Sequence, residues 1–483
     1  MAEIIAETQI PDQEKINNKE TALEDESSKK QKSLDYSIKE GNYASIAGGA
    51  GESYIVPYAL ALNANNAQIG YLSSFVGVIG ASSQLIGSKL MYKYSRRKLL
   101  LIFVTLQASM WFIIAALGIL FLKGNLTSLI AVSLLILFYS IYAIFGSLVG
   151  PSWFSLMGDL APEKERGSYF SKRSKINGTV AMVTTLLASL FLDYMKGLGW
   201  VIIGFVILFG IAAFGRFVSA WYFTKHYYPK TSFTKEKYFS FFQFIKKAPG
   251  NNFGRFVFFV GVVNIFTNFA GPFFAVYMLK ELHFSYLWFT IINISGTLFT
   301  IIAIPIWGKI GDKYGNRYLL KVTSFLIPLP PLMWLISGNP IYLIFVPQLL
   351  AGFGWGGFNL AASNFIYDTV TPERRGICVS YYTMINGISV FVGAMVGGLF
   401  AFYAPASFFN LNVFLWIFLI SGIGRAIACL IFIPMIKEVR TLPDNLERLS
   451  MFQYLYLFTP RPIVSMWRGV HGLVTHSNIK EKK

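Results

Sequence analysis

The sequence predicts an all-α integral membrane protein of twelve transmembrane helices, built as two parallel six-helix halves. Three observations predict it. Hydrophobic residues fill 54% of the 483 positions and charged residues only 14%, against roughly 25% charged in an ordinary soluble domain. The apolar residues come in runs of about 20, the length that carries a helix across a ~30 Å hydrocarbon core. Two stretches of the chain also repeat each other's charged and glycine positions at a fixed offset.

The predicted spans are 41–62, 68–92, 98–122, 126–157, 174–196 and 199–223, then 255–280, 284–308, 319–338, 340–366, 377–403 and 408–436. Helices suit these runs because lipid offers backbone groups no hydrogen-bond partner. Residues 1–40 are polar, with ten acids against six lysines and no apolar h-region. They are expected to be a disordered cytoplasmic tail, with no cleavable signal peptide.

Alternate loops differ in charge. Asn63–Gln68, Ser337–Pro340 and Tyr403–Ser407 are nearly uncharged. The others hold Lys93, Arg96, Arg97 and Lys98; Lys164, Arg166, Lys172, Arg173 and Lys175; Lys309, Lys313, Arg317 and Lys321; Arg374 and Arg375. On the opposite side lie Lys123, Lys196 and Lys280. The positive-inside rule puts the basic loops and both termini in the cytoplasm, with the cell membrane as the expected location. The net charge of +18 is therefore loop charge, not one basic soluble face, and nucleic acid is not an expected partner.

Residues 224–254 link the N-terminal bundle (41–223) to the C-terminal bundle (255–436). Their stretch Tyr238–Lys247 reads as an amphipathic helix on the membrane surface. The tail 437–483 carries a similar segment, Ile463–Val474, with Trp467 and Arg468. Asn125-Leu126-Thr127 is a glycosylation sequon in an outward loop, meaningful only in a glycosylating host. Cys378 and Cys429 lie in apolar runs, which gives neither a disulfide framework nor a metal site. The four histidines lie near or outside span ends. No phosphate loop, metal spacing or nucleophile elbow is found, so no enzyme activity, cofactor or metal is expected.

The repeat is read at an offset of 209. Asp159 matches Asp368, Arg166-Gly167 matches Arg375-Gly376, Ile176-Asn177-Gly178 matches Ile385-Asn386-Gly387, and Gly215-Arg216 matches Gly424-Arg425. After spans 2 and 8 the offset becomes 220, where Lys93-Tyr94 and Arg97 match Lys313-Tyr314 and Arg317.

The loop after span 8 reads Gly308-Lys309-Ile310-Gly311-Asp312-Lys313-Tyr314-Gly315-Asn316-Arg317. It resembles the inter-helix loop signature of the major facilitator superfamily. The loop after span 2, Ser88 to Leu100, is a degraded copy: Tyr92 holds the Asp position and Ser95 the second Gly position, while Arg96, Arg97 and Lys98 remain. Gly150-Pro151 followed by Asp159, Pro162 and Arg166-Gly167 is similar to the end of span 4 in that superfamily. The resemblance covers about 41–436. It implies a solute site near the midplane between the halves and alternating access by rocking, in the parallel-repeat arrangement for which this superfamily is the type example. It also implies a cytoplasmic gate of Gly308, Asp312, Lys313, Gly315, Arg317, Arg96 and Arg97, latched by Asp312 alone. The span 5 motif of proton-coupled drug antiporters and the signature of sugar porters are both missing, so the resemblance carries no substrate.

On these spans three formal charges fall well inside the hydrocarbon: Glu52, Arg216 and Arg425. Intramembrane charges are costly and by default mark function. Glu52 lies mid-span in Gly48-Gly49-Ala50-Gly51-Glu52-Ser53 and is the candidate proton-coupling group or cationic-solute contact; a structural acid is the alternative. Arg216 and Arg425 are repeat-related, and each is expected to pair with the Asp of its own half, Asp159 or Asp368. Tyr139, Tyr142, Asn264, Asn268, Gln348, Trp355 and Asn359 are candidate cavity residues, because the resemblance has spans 1, 4, 7 and 10 lining the cavity. The alternative for them is helix–helix hydrogen bonding. The glycines of spans 10 and 11 are expected to permit close packing, and Pro57, Pro272, Pro328, Pro330 and Pro331 to permit kinks.

The expected function is secondary transport of a small, amphipathic organic solute, with protons as the coupling ion and the bilayer as surroundings, by a monomer. A uniporter, a lipid flippase and a transporter-like receptor stand as alternatives on the same fold. A flippase would show a lateral opening.

Overall fold

The computed structural model describes residues 2–91, 93–162, 166–229, 241–405, 407–408 and 411–439. Among the described residues, ten helices are long and apolar enough to cross a membrane: Asn66–Leu90, Arg96–Leu122, Ser128–Leu160, Ser168–Gly197, Val201–Phe223, Asn252–Glu281, Tyr286–Tyr314, Pro340–Thr369, Ile377–Tyr403 and Val413–Met435. The remaining two passes, spans 1 and 9, are broken. Span 1 runs as helix Ala2–Ala50, a 3₁₀ turn Glu52–Tyr54 and helix Ile55–Ala61. Span 9 is Asn316–Leu326 followed by Leu329–Met333.

Proline explains both breaks. Pro57 has no N–H for the Ser53 carbonyl, and its ring crowds that carbonyl. The turn before it tightens to 3₁₀, with the Tyr54 N–H bonding to Gly51 O at 3.0 Å. In span 9, Pro330 and Pro331 deprive the Ile327 carbonyl of both its i+3 and i+4 donors. The repeat persists in the backbone. Among the described residues, Asn63 and His283, 220 apart at the ends of spans 1 and 7, are the two non-glycine residues with positive φ, 64° and 52°.

Residues 33–40 were expected in a disordered tail, but they continue the first helix into the bundle. Ser33, Leu34, Ser37 and Glu40 are all buried. One face of span 1 therefore packs well below residue 41. Of the linker's expected amphipathic helix, Phe241–Lys247 is helical. Phe244 is buried beside Phe253 and Tyr381, and Phe242 points outward. Residues 238–240, the 463–474 segment and Tyr92 lie outside the described residues.

The two halves meet along two unequal seams. Spans 2 and 11 touch backbone to backbone: a methyl built on Gly70 would lie 2.6 Å from Gly398 Cα, and one on Gly387 would lie 2.8 Å from Gly77 O. Span 11 also lies close on span 7, where methyls at Gly393 and Gly397 would each fall 2.2 Å from a carbonyl oxygen. The expected close packing of the span 11 glycines is what the structure shows. Spans 5 and 8 form the other seam, with a cleft between them toward the face where spans 6 and 12 end (the terminal face). They are tied at mid-depth and at the opposite, far face. Tyr54 Oη of span 1 bonds Thr185 O of span 5 at 2.6 Å and Thr290 Oγ1 of span 8 at 3.0 Å. The Asp193 carboxylate accepts the Tyr286 and Leu287 N–H groups at 2.7 and 2.9 Å. Asn66 donates to Ala401 O and Lys280 to Ala64 O, both at 3.0 Å, on the same far face.

Candidate functional site

The break in span 1 creates the site. The main chain turns at Gly51, which packs so closely on Trp111 that a methyl there would lie 2.5 Å from the indole. The turn buries Tyr54 completely and leaves Glu52 and Ser53 exposed. Tyr142 Oη of span 4 donates to Glu52 Oε1. Behind it the rings stack in order: Tyr139 on Tyr142 at 5.5 Å and 8°, Tyr142 against Trp111 at 4.8 Å, and Trp111 on Phe209 at 5.2 Å. Among the described residues no ion pair reaches Glu52. A carboxyl at mid-span with one phenolic donor and an open face can exchange a proton or accept a cation.

Arg216 does not pair with Asp159. Its Nη1 lies 3.9 Å from Glu40 Oε1, and its Nε donates to Gln107 Oε1 at 2.8 Å. Glu40, 3% exposed, also accepts Arg173 at 3.1 Å and Ser219 at 2.9 Å. Asp159 instead accepts Arg96 at 2.6 Å. In the other half Asp368 accepts Asn316 at 2.6 Å, and Arg425 donates to Ile327 O at 3.1 Å while lying over the Trp355 ring at 6.0 Å.

Several of these partners are themselves repeat-related. Arg96 and Asn316 are 220 apart, and each opens its helix and holds the repeated Asp. Gln107 and Ile327 are also 220 apart, and each holds the repeated Arg. Arg425 takes the very carbonyl that Pro330 and Pro331 leave without a donor.

The candidate cavity residues separate. Tyr139 and Tyr142 join Glu52. Asn264 bonds Asn386 at 3.1 Å, and Asn268 bonds its own helix at Asn264 O, 2.8 Å. Gln348 is packed against Gly296, where an added methyl would be 2.6 Å from Oε1. Trp355 lies edge-on to Phe358, and Asn359 is exposed.

In the gate motif, Gly315 supplies the positive φ of 86° that opens span 9. Lys313 lies over the Tyr314 ring at 5.0 Å, and the Arg317 N–H bonds Glu438 at 2.8 Å. Gly308 faces open space and Asp312 lies at the end of span 8. Arg97 is exposed, and Arg96 is buried in its pair with Asp159.

Sequence reading missed Glu40, Gln107, Trp111, Arg173 and Asp193. Asp193 sits where a negative charge is favoured, at the first turn of a helix from the other half. It does so on the far face, whereas the expected Asp latch lay on the terminal one. A signal for Glu40 was available: Ser33, Ser37 and Glu40 recur at i, i+4 and i+7, one helix face. Beyond the end of span 6, His226 stacks on Phe223 and shares a 3.0 Å bond with Tyr222 O. Burial holds its imidazole below the usual histidine range.

A family model described as Major Facilitator Superfamily matches residues 44–263 and again 256–477. The chain belongs to the major facilitator superfamily. The two matches divide this facilitator at the start of span 7, as the repeat does. Among curated proteins it is 30% identical over 112 residues to "MFS-type transporter sphD" of Aspergillus fumigatus, covering 23% of this chain and 19% of that one. It is 27% identical over 155 residues to "Vacuolar basic amino acid transporter 1" of Saccharomyces cerevisiae, covering 32% and 27%. The matched segments thus span well under a third of these relatives' lengths. Among solved structures, a nucleoside transporter NupG mutant superposes with a TM-score of 0.64 at 16% identity, covering 84% of this facilitator and 100% of that chain. A bacterial homologue of the iron transporter ferroportin, in an inward-facing state, gives 0.62 at 12% identity over 84% and 98%. At these identities the likeness is one of fold. This facilitator is a multi-pass membrane transporter.

Proposed function

We propose that this protein is a secondary active transporter of a small organic solute, working by alternating access and coupled to protons at Glu52. The observation that carries the reading is the Glu52–Tyr142 pair: an open-faced carboxyl at mid-span, without a basic partner, at the break in a cavity-lining helix. A carboxyl so placed can bind either a proton or a cation, and exchange of one for the other would couple their movements. The basic loops support a cytoplasmic position for the terminal face, and the far-face ties through Asp193, Asn66 and Lys280 would then close the outer side.

The relatives' printed names, a basic amino acid transporter and a nucleoside transporter among them, support small polar or basic organic solutes as the class to test. The test uses proteoliposomes loaded with a pH-sensitive dye. Basic amino acids, nucleosides and alkyl amines are added in turn under an imposed pH gradient. The expected outcome is solute-dependent proton flux in the native protein that falls at least tenfold in Glu52→Gln, about 1.4 kcal/mol or more, and partly in Tyr142→Phe. Equal gradient dependence in native protein and Glu52→Gln would remove the coupling.

A further inference from the structure

A cleft of about 560 Å³ lies at the terminal face, between the linker helix Phe241–Lys247, the start of span 7 and the loop joining span 10 to span 11. Its volume suits a small organic ligand. Its cause is local. Gly254 lets the 3₁₀ turn Ala248–Gly250 fold tightly onto span 7, since a methyl there would lie 2.3 Å from Ala248 Cα. The linker helix is thereby held against the bundle, where Phe244 stacks on Tyr381 of span 11 at 5.5 Å.

Phe244, Phe253, Val370 and Cys378 line the cleft and are buried, so its inner side is apolar. Lys247 and Arg374 line it from different segments and are exposed. Among the described lining residues none is acidic. The segments 243–255 and 369–378 carry Lys246, Lys247, Arg255, Arg374 and Arg375 against Glu373 alone. Asn251 and Thr369, also in the lining, are spent on the backbone: Asn251 Oδ1 accepts the Gly254 N–H at 2.7 Å, and Thr369 Oγ1 donates to Phe365 O at 2.6 Å. Among the described residues no ion pair reaches Lys247 or Arg374. Topology alone accounts for scattered basic residues on such a face. Here two cations without an acid flank one cavity. The span 11 helix also starts at the cleft, and the Thr371 side chain does not cap it, so its first-turn N–H groups favour an anion.

We infer that this cleft binds a phosphate monoester bearing an apolar group, whether carried by a phospholipid or free in solution. It lies at span ends, away from Glu52 at mid-span, and does not depend on the coupling role of that residue. Three features select the occupant. Two cations match a dianion better than a single carboxylate, and a phosphate monoester carries about −1.5 to −2 charge at neutral pH. The Arg374 guanidinium can hold two phosphate oxygens as a fork. The apolar inner side takes up a hydrocarbon or aromatic substituent and gives bare phosphate nothing.

The chain's two cysteines supply a native reporter, since Cys378 lines the cleft and Cys429, in span 12, does not. Alkylation of each thiol by N-ethylmaleimide is followed by mass spectrometry on the full-length protein in phosphatidylcholine nanodiscs at neutral pH. Phenyl phosphate, benzoate, phenol and inorganic phosphate are added in turn. In a second arm the discs contain phosphatidic acid and no soluble phosphate. The expected result is saturable protection of Cys378, about tenfold at a ligand concentration ten times the dissociation constant, with Cys429 unchanged. Protection by phenyl phosphate assigns a free ligand, and protection in the phosphatidic acid discs alone assigns a lipid. Lys247→Gln with Arg374→Gln should abolish protection, and Lys247→Arg with Arg374→Lys should keep it. Should Cys378, 6% exposed, react too slowly to follow, Gln243→Cys at the exposed rim of the cleft takes its place. No protection in either arm, equal protection by benzoate, equal slowing of both thiols, or protection that survives the double glutamine substitution would overturn the site.

Discussion

The two halves share a frame and differ in what they do with charge. In the N-terminal half the repeated arginine, Arg216, belongs to a network with Glu40, Arg173, Gln107 and Ser219. In the C-terminal half its counterpart, Arg425, has a backbone carbonyl and an indole face. The repeated Asp is held by an arginine in one half and by an asparagine in the other. A duplicated scaffold therefore conserves the position at which a side chain is held, while the holder changes from ion to dipole. The N-terminal half retains the carboxylates near the membrane interior and carries the candidate chemistry. The C-terminal half supplies packing, amide pairs and a proline-broken helix.

The largest test of that contrast removes Glu40. Glu40→Leu leaves Arg173 and Arg216 buried without their acid, and breaking a buried pair from one side costs about 3–5 kcal/mol. Arg425→Met, which removes only a hydrogen bond and a ring contact, should cost about 1–3 kcal/mol. Unfolding free energies from SDS titration in mixed micelles measure both, and equal losses would erase the distinction between the halves. A smaller effect separates the two Asp contacts. Double-mutant cycles should give a coupling of about 1–3 kcal/mol for Arg96–Asp159, in which both partners are charged, and a smaller one for Asn316–Asp368, in which only the carboxylate is.

The smallest effect lies at the foot of the N-terminal half. Burial lowers the His226 pKa, so as pH falls below the unfolded value near 6.5 the unfolded chain takes up a proton that the folded one refuses. The stability His226 confers is complete above that value and declines below it. Thermal unfolding between pH 8 and pH 5 should therefore fall less steeply in His226→Phe than in the native protein.

Much of the fold was legible because span length, basic loops and the 209 and 220 offsets are properties of the sequence itself. Span 1 was read as starting at 41 because residues 1–40 are polar. Hydropathy alone could not show that one face of that polar helix packs into the bundle, and Glu40 was lost with it. The pairing of each Arg with its own Asp failed for a different reason. The repeat tells which residues correspond but not which face each helix turns inward. Arg96 was read as a gate residue from the resemblance of its loop to the family signature; its burial, as the first residue of its helix, was not legible there. Glu52, Tyr139 and Tyr142 were read as candidates from their places in spans 1 and 4, but the exposure of Glu52 could not be read there, since it depends on a break near Gly51 and Pro57.

The unequal seams differ in what they tolerate. Where Gly70 meets Gly398 a methyl group on either would lie within 2.8 Å of the other's Cα, so no bulkier residue fits at either position without forcing the two helices apart. The seam padded with side chains can absorb a change of residue by repacking; the seam made of bare backbone cannot.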